Sequence, residues 1–172
     1  MKVSAKRLNT VEEYYFSTKL KEVNSLIKKG NPIINLGIGS PDLLPPSCAI
    51  EALKNSLNDQ YANNYQSYIG LEDLRISISK FYNKWFDVDL DFNSEILPLM
   101  GSKEGIMHIS MAFLNIGDSV LIPNPGYPTY SSVTNLVQAN PIYYDLKAEN
   151  NWFPSIQELE KNDLTKVKLM WL

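Results

Sequence analysis

The types and spacing of three consecutive residues suit the binding of an anion. They are Gly101, Ser102 and Lys103. A short apolar run, 96–100, precedes them and predicts a strand, and a strongly apolar segment, 102–114, follows and predicts a helix. The glycine can make the tight turn and the serine can cap the helix. The first backbone N–H groups of the helix then face the space beyond the strand end, which predicts an anion site there.

The helix predicted over residues 102–114 is apolar nearly all round, which favours a helix covered on several sides over an amphipathic surface helix. Gly117 is expected to end it. His108, the only histidine of the chain, lies in the middle of this helix among apolar neighbours. A hydrogen-bonded packing role is favoured for it over a role as general base, because geometry and not residue type decides a base.

Two motifs of this sequence resemble those of a known enzyme family. They are Gly-Ser-Lys-Glu-Gly-Ile, which starts at residue 101, and Asn-Pro-Gly-Tyr-Pro-Thr-Tyr, which starts at residue 124. Both resemble motifs of the fold-type I aminotransferases that use pyridoxal 5′-phosphate. The similarity is greatest to the branch with the LL-diaminopimelate and aspartate aminotransferases, and it extends from about Asn31 to Leu172.

The resemblance implies a binding site for pyridoxal 5′-phosphate. Gly101, Ser102 and Lys103 correspond to family residues that contact the cofactor phosphate. Tyr127 corresponds to the aromatic residue that stacks on the pyridine ring of the cofactor.

Tyr65 and Gly39 receive further roles from the same resemblance. Tyr65 stands five residues before Gly70, where the family has a tyrosine that reaches the cofactor phosphate of the neighbouring subunit. A homodimer with shared active sites is therefore implied, and Tyr68 remains an alternative to Tyr65. Gly39 belongs to a Gly-x-Gly-x-Pro-Asp segment that lines the substrate carboxylate in the family, although a glycine turn alone has many other uses.

No catalytic residue is predicted within this chain. Lys103 lies beside the predicted phosphate turn, but the Schiff-base lysine of the family lies much further along the chain. The aspartate that pairs with the pyridine nitrogen and the arginine that binds the substrate carboxylate would also follow Leu172. Glu104 suits the helix dipole and needs no catalytic role. The resemblance therefore implies that the chain is the N-terminal portion of a longer enzyme.

Composition excludes several classes of protein. A net charge of −3 with 20% charged residues argues against nucleic acid or an anionic membrane as the main partner. One cysteine and the absence of an apolar leader indicate a cytoplasmic protein. The carboxylates of residues 87–91 lack the glycine and the spacing of a calcium loop, so no metal site is predicted.

Strand-like and helix-like segments alternate from residue 96 onward, which predicts an α/β fold with a mostly parallel sheet covered by helices on both faces. Before them, a capping box at residues 10–13 predicts an N-terminal helix, followed by an extended arm. A further helix begins at Leu71, with Arg75 on its surface. The resemblance implies that residues 1–44 belong to a small domain and residues 45–172 to the first part of a large cofactor-binding domain.

The resemblance implies an aminotransferase that moves an amino group between an amino acid and a 2-oxo acid. The alternatives are a lyase or decarboxylase with the same cofactor and fold, and a non-catalytic module that binds the cofactor or a phosphate.

Overall fold

The computed structural model describes residues 4–9, 11 and 13–172 of the 172-residue chain. These residues form two compact units. One comprises Glu13–Pro98, and the other comprises Leu99–Leu172 together with the described part of residues 1–12. Within the described ranges, no helix is both long enough and apolar enough to cross a membrane.

The unit Glu13–Pro98 contains three helices, which are α1 (Tyr15–Lys28), α2 (Ser47–Ser56) and α3 (Glu72–Phe86). The predicted N-terminal helix is α1, and it begins at Tyr15. The capping box was predicted to begin at Thr10, which lies outside the described residues. Helix α3 has two carboxylates in its first turn, where they complement the positive end of the helix dipole.

Arg75 on α3 is buried, and the prediction of a surface position was therefore wrong. Its side chain donates a hydrogen bond to the carbonyl oxygen of Phe92, and its guanidinium carbon lies 6.0 Å from the centroid of the Phe92 ring. These contacts offset part of the cost of taking the charge out of water. Arg75 thus fixes α3 against the segment that follows it.

The second unit carries the sheet. Its helices and strands alternate in the order α4 (Ser102–Phe113), β1 (Ser119–Asn124), α5 (Pro128–Leu136), β2 (Asn140–Asp145), α6 (Ile156–Leu159) and β3 (Val167–Met170). Two short 3₁₀ turns, Lys6–Leu8 and Ala148–Asn150, also belong to this unit.

The three strands form one parallel sheet in the order β2, β1, β3. Ser119 pairs with Asn140 at the start of β1, and Asn124 pairs with Asp145 at its end. On the other side Leu121 pairs with Met170. The parallel sheet confirms the α/β fold predicted from the sequence.

Both faces of β1 are buried, because alternate side chains of a strand point to opposite sides of the sheet. Val120 and Ile122 pack on one face in a cluster with Leu114, which directly follows α4. Leu121 packs on the other face in a cluster with Leu159 of α6. Helices therefore lie on both faces, as predicted.

The apolar run 96–100 does not form the predicted strand, since no strand in the described part of the chain pairs with it. Pro98 has no N–H for a ladder, and its ring packs where a Cβ on Gly70 would lie, 2.9 Å from Cγ. The N–H of Met100 donates instead to the side chain of Glu104. Two N–H groups that a strand would need are therefore not available for pairing, because Pro98 has none and Met100 donates its own to Glu104.

Helix α4 is buried along one face only, so the prediction of a helix covered on several sides was wrong. Its buried residues are Gly105, Ile106 and Ser110, which lie on one side at helical spacing. Phe113 remains 63% exposed, and His108 is also exposed. The packing role expected for His108 is therefore wrong as well.

Candidate cofactor-binding site

The start of α4 and the loop after β1 lie close together, at the carboxyl edge of the sheet. The carboxyl ends of β1 and β2 meet there, where Asn124 donates a side-chain hydrogen bond of 2.9 Å to Asp145. Nζ of Lys103 in α4 lies 5.7 Å from the ring centroid of Tyr127, which follows β1. Ligands of open α/β sheets bind outside this edge of the strands. The predicted residues Gly101, Ser102, Lys103 and Tyr127 are thus within one region.

Gly101 makes the turn before α4 and is its capping residue, with φ of 94° and ψ of 158°. This conformation is essentially restricted to glycine. Ser102 is the first residue of the helix, so the prediction that it caps the helix was wrong in this detail. Gly101 has no side chain that could cap the first N–H groups of the helix. A Cβ at this position would meet no atom within 4 Å. The helix start is therefore open to a ligand.

Glu104 and Gly105 hold this turn in place from the first turn of the helix. Oε2 of Glu104 accepts a hydrogen bond of 2.5 Å from the backbone N–H of Met100. A Cβ at Gly105 would lie 2.6 Å from Cδ1 of Leu99, so Leu99 packs where only glycine leaves room. Both contacts restrain the residues that precede Gly101. Only a role with the helix dipole was predicted for Glu104, so this contact is new.

Replacing Glu104 by alanine is expected to lower the free energy of unfolding by about 1 kcal/mol, because the N–H of Met100 loses its acceptor. Glutamine keeps an acceptor at this position and should restore most of the stability. Urea unfolding followed by circular dichroism measures both variants. Glu149→Ala, which removes an exposed carboxylate from the same unit, is the matched control. A similar loss in this control, or none in Glu104→Ala, would contradict the role of Glu104.

Tyr127 is exposed, with 39% of the residue accessible to solvent. A hydrogen bond with Thr129 is the main cause that lowers the pKa of the Tyr127 phenol below its ordinary value. A hydrogen bond with Lys103 and the positive charge of Lys103 act in the same direction, whereas burial opposes them. Thr129 and Lys103 therefore both favour the ionised form of the Tyr127 phenol.

The loop between β1 and α5 depends on Gly126. A Cβ at this position would overlap the carbonyl oxygen of Pro123, so the backbone packs against itself there. The peptide bond between Asn124 and Pro125 is cis. This compact loop places Tyr127 at the capping position of α5. The Asn-Pro-Gly sequence was the signal for the loop, although the sequence did not reveal the close approach.

Tyr130 and Trp171 extend the aromatic contacts of Tyr127, and sequence reasoning missed both. The ring centroids of Tyr127 and Tyr130 are 5.7 Å apart and their planes are almost perpendicular, at 85°. Tyr130 is stacked on Trp171, with centroids 5.1 Å apart and planes within 1°. The spacing of the two tyrosines can be read from the sequence. No motif or periodicity near them indicates a contact with Trp171.

Tyr65 and Gly39 belong to the other compact unit, Glu13–Pro98. The side chains of Tyr65 and Tyr68 are both almost fully exposed, so exposure does not separate these two candidates. Gly39 is exposed, and a Cβ added to it would meet no atom within 4 Å. Their roles stay predictions.

The parallel sheet and the open helix start at its carboxyl edge define an α/β protein with a candidate site for an anionic ligand that carries a ring. The family model for aminotransferase class I and II matches residues 31–172. The chain therefore belongs to this family, which confirms the resemblance seen in the motifs.

Curated relatives include the LL-diaminopimelate aminotransferase of Aquifex aeolicus, which is 37% identical to this chain over 166 residues. That alignment covers 96% of this chain and 43% of the relative. The LL-diaminopimelate aminotransferase of Natranaerobius thermophilus is 38% identical over 169 residues, which is 98% of this chain and 44% of the relative. The chain thus spans less than half the length of these curated relatives.

Solved structures also resemble this chain over its length. Apo-BacF of Bacillus subtilis superimposes with a TM-score of 0.92 at 31% identity, over 100% of this chain and 44% of BacF. The alanine aminotransferase of Pyrococcus furiosus gives a TM-score of 0.88 at 28% identity, over 98% of this chain and 43% of that structure. The fold is therefore that of fold-type I aminotransferases.

Proposed function

We propose that this chain forms the phosphate- and ring-binding part of a pyridoxal-phosphate-dependent aminotransferase. The enzyme would move an amino group between an amino acid and a 2-oxo acid. Membership of the aminotransferase class I and II family supports the proposal. The observation that carries it is the proximity of the glycine turn at Gly101 to the half-exposed ring of Tyr127, through Lys103.

The residues at this site fit pyridoxal 5′-phosphate in charge and in chemical type. The cofactor phosphate is an anion, and the open start of α4 offers backbone N–H donors and the positive end of a helix dipole. Lys103 adds a positive charge beside them. Tyr127 offers an aromatic surface for a pyridine ring. The site thus combines donors, a cation and a ring in one region.

When bound, the cofactor supplies an electron sink that makes transfer of the amino group possible. The residues of this chain bind and orient it. Gly101, Ser102 and Lys103 would hold the phosphate, and Tyr127 would fix the plane of the pyridine ring. Orientation of this kind contributes to rate because it removes unproductive arrangements before the reaction.

The proposal extends to the assembly and to the domain division. Tyr65 would complete the cofactor site of a second subunit, so the enzyme would be a two-fold homodimer. Gly39 would line the site for the substrate carboxylate. Residues 1–44 would belong to a small domain and residues 45–172 to a large cofactor-binding domain. We place the enzyme in the cytoplasm, which suits its single cysteine.

Replacing Tyr127 by leucine is expected to weaken binding of pyridoxal 5′-phosphate about tenfold, because the variant keeps an apolar side chain but loses ring stacking. The affinity for inorganic phosphate should stay the same, because the phosphate contacts lie in α4. Equilibrium dialysis with each ligand measures both affinities.

Tyr143→Leu is the matched control, since Tyr143 is an exposed aromatic residue on β2. It should bind both ligands as the unmutated chain does. Unchanged cofactor affinity in Tyr127→Leu would contradict the role of the ring. Failure of the unmutated chain to bind either ligand would contradict the proposed function.

A further inference from the structure

Three aromatic residues, Tyr127, Tyr130 and Trp171, form a continuous series from the candidate site to the end of β3. We call them the aromatic series. Tyr127 stands at the capping position of α5, Tyr130 lies in the first turn of that helix, and Trp171 directly follows β3. The series therefore connects a ring in the site with the end of a strand in the sheet.

Trp171 is the fixed end of this series. Its backbone N–H donates a hydrogen bond of 2.9 Å to the carbonyl oxygen of Leu121 in β1, which continues the pairing of β3. Its own carbonyl oxygen accepts a hydrogen bond of 2.5 Å from the hydroxyl of Tyr144 in β2. Trp171 is thus anchored to the other two strands through its backbone.

The Trp171 side chain is held by packing. Its indole N–H is buried and has no hydrogen-bond partner among the described residues. The side chain packs against the cluster that contains Val120 and Ile122. Because no hydrogen bond orients the indole, this packing and the stacked ring of Tyr130 set its position.

Tyr130 is held on two sides. Its ring is parallel to the indole of Trp171, at a centroid distance of 5.1 Å that is typical of offset stacking. Its hydroxyl donates a hydrogen bond of 3.2 Å to the backbone oxygen of Leu172. The ring of Tyr130 is therefore fixed both in its plane and along its length.

Tyr127 receives its orientation from this fixed ring. Its plane is perpendicular to that of Tyr130, which is a favoured arrangement for an aromatic pair. The residue is 39% exposed, so the core alone does not enclose it. Lys103 contacts it from the other element of the site and Thr129 acts on its hydroxyl, but a lysine side chain is long and flexible, and a threonine has no ring to stack on that of Tyr127. Tyr130 is thus the rigid neighbour of Tyr127.

We propose that Tyr130 is a positioning residue, which orients the ring of Tyr127 for an aromatic ligand and does not itself contact that ligand. The inference rests on the proposed function, since the ligand is the pyridine ring of pyridoxal 5′-phosphate. A ring that is already oriented loses less conformational freedom when the ligand binds, and the affinity rises accordingly. The phosphate contacts in α4 do not depend on this orientation.

Two substitutions at Tyr130 separate this role from a role in folding. Tyr130→Leu removes the ring, and Tyr130→Phe keeps the ring but removes the hydroxyl that bonds to Leu172. Tyr130→Met replaces the leucine variant if that variant does not fold, because methionine adapts well to irregular gaps in a core. Tyr143→Leu again serves as the control.

The measurements are the dissociation constants for pyridoxal 5′-phosphate and for inorganic phosphate, and the circular dichroism that the bound cofactor shows in its own absorption band. Tyr130→Leu is expected to weaken cofactor binding about three- to tenfold, reduce this circular dichroism and leave phosphate binding unchanged. Tyr130→Phe and Tyr143→Leu should resemble the unmutated chain in all three.

Three results would overturn the inference. In the first, Tyr130→Leu binds the cofactor as tightly as the unmutated chain does, with the same circular dichroism. In the second, the variant loses phosphate affinity by the same factor as cofactor affinity, which would show a general structural role. In the third, Tyr130→Phe is as impaired as Tyr130→Leu. Failure of the unmutated chain to bind the cofactor would instead overturn the proposed function, and this inference with it.

Discussion

Replacing Gly101 by valine is expected to weaken binding of both inorganic phosphate and pyridoxal 5′-phosphate by roughly ten- to a hundredfold. Gly101 has φ of 94° and ψ of 158°, where a β-branched residue costs about 1–3 kcal/mol. A clash is not the cause, because a Cβ there would meet no atom within 4 Å. The turn would instead change its backbone conformation, and the first N–H groups of α4 would no longer point at the anion. Isothermal titration with each ligand measures the loss.

Gly117→Val is the matched control for this strain. Gly117 also has a positive φ, 88°, and also has open space where a Cβ would lie. It lies in the connection from α4 to β1, at the opposite end of α4 from the candidate site. The control should lose stability but bind phosphate normally. An equal loss of phosphate affinity in both variants would show that strain acts through folding and not through the site.

The chain by itself is expected to transfer no amino groups when it is mixed with pyridoxal 5′-phosphate, an amino acid and a 2-oxo acid. Transfer requires a lysine that forms a covalent bond to the cofactor carbonyl and a cation that binds the substrate carboxylate. Lys103 is in the first turn of α4, and its amine lies beside the ring of Tyr127. In the proposed function Lys103 would bind the phosphate end of the cofactor, and no motif of the sequence supplies the other groups.

Borohydride reduction followed by peptide mapping tests this expectation directly. Reduction makes any bond between a lysine and the cofactor permanent, so the labelled peptide identifies the lysine. We expect no stoichiometric label on Lys103, and an assay for the new amino acid should show no product. Lys103→Arg, which keeps the charge but not the nucleophile, is the control for nonspecific labelling. Stoichiometric label at Lys103, together with product, would show that the chain carries its own catalytic lysine.

The residues of the candidate site were predicted from motifs that resemble those of a known family, whereas local signals predicted only the glycine turn and the helix after it. The closeness of Lys103 to Tyr127 depends on how α4 packs, because the segment before Gly101 forms no strand of the sheet. The strand predicted over 96–100 was wrong, because Pro98 and the contact of Met100 with Glu104 outweighed the apolar pattern. An apolar run alone does not ensure that a segment pairs with the strands of a sheet.

Contacts between distant parts of the chain were the least predictable. Tyr130 stacks on Trp171, which lies 41 positions later in the chain, and no local sequence pattern predicts this contact. The buried position of Arg75 likewise depends on the carbonyl of Phe92 in a later segment. The exposed face of α4 carries apolar residues, as a buried helix face does. Composition alone does not show which parts of the chain pack against a helix. Such features are set by tertiary packing, which single-sequence periodicity does not encode.

The close approach of Gly126 to the carbonyl oxygen of Pro123 gives a structural reason for intolerance to substitution at this position. Any side chain there would collide with the carbonyl of Pro123, so every substitution at this position should be poorly tolerated. In a survey of variants Gly126 would rank beside Gly101, although a side chain at Gly101 would strain the backbone and one at Gly126 would collide with the carbonyl oxygen of Pro123. Intolerance to substitution at Gly126 would therefore indicate close backbone packing and not a chemical role.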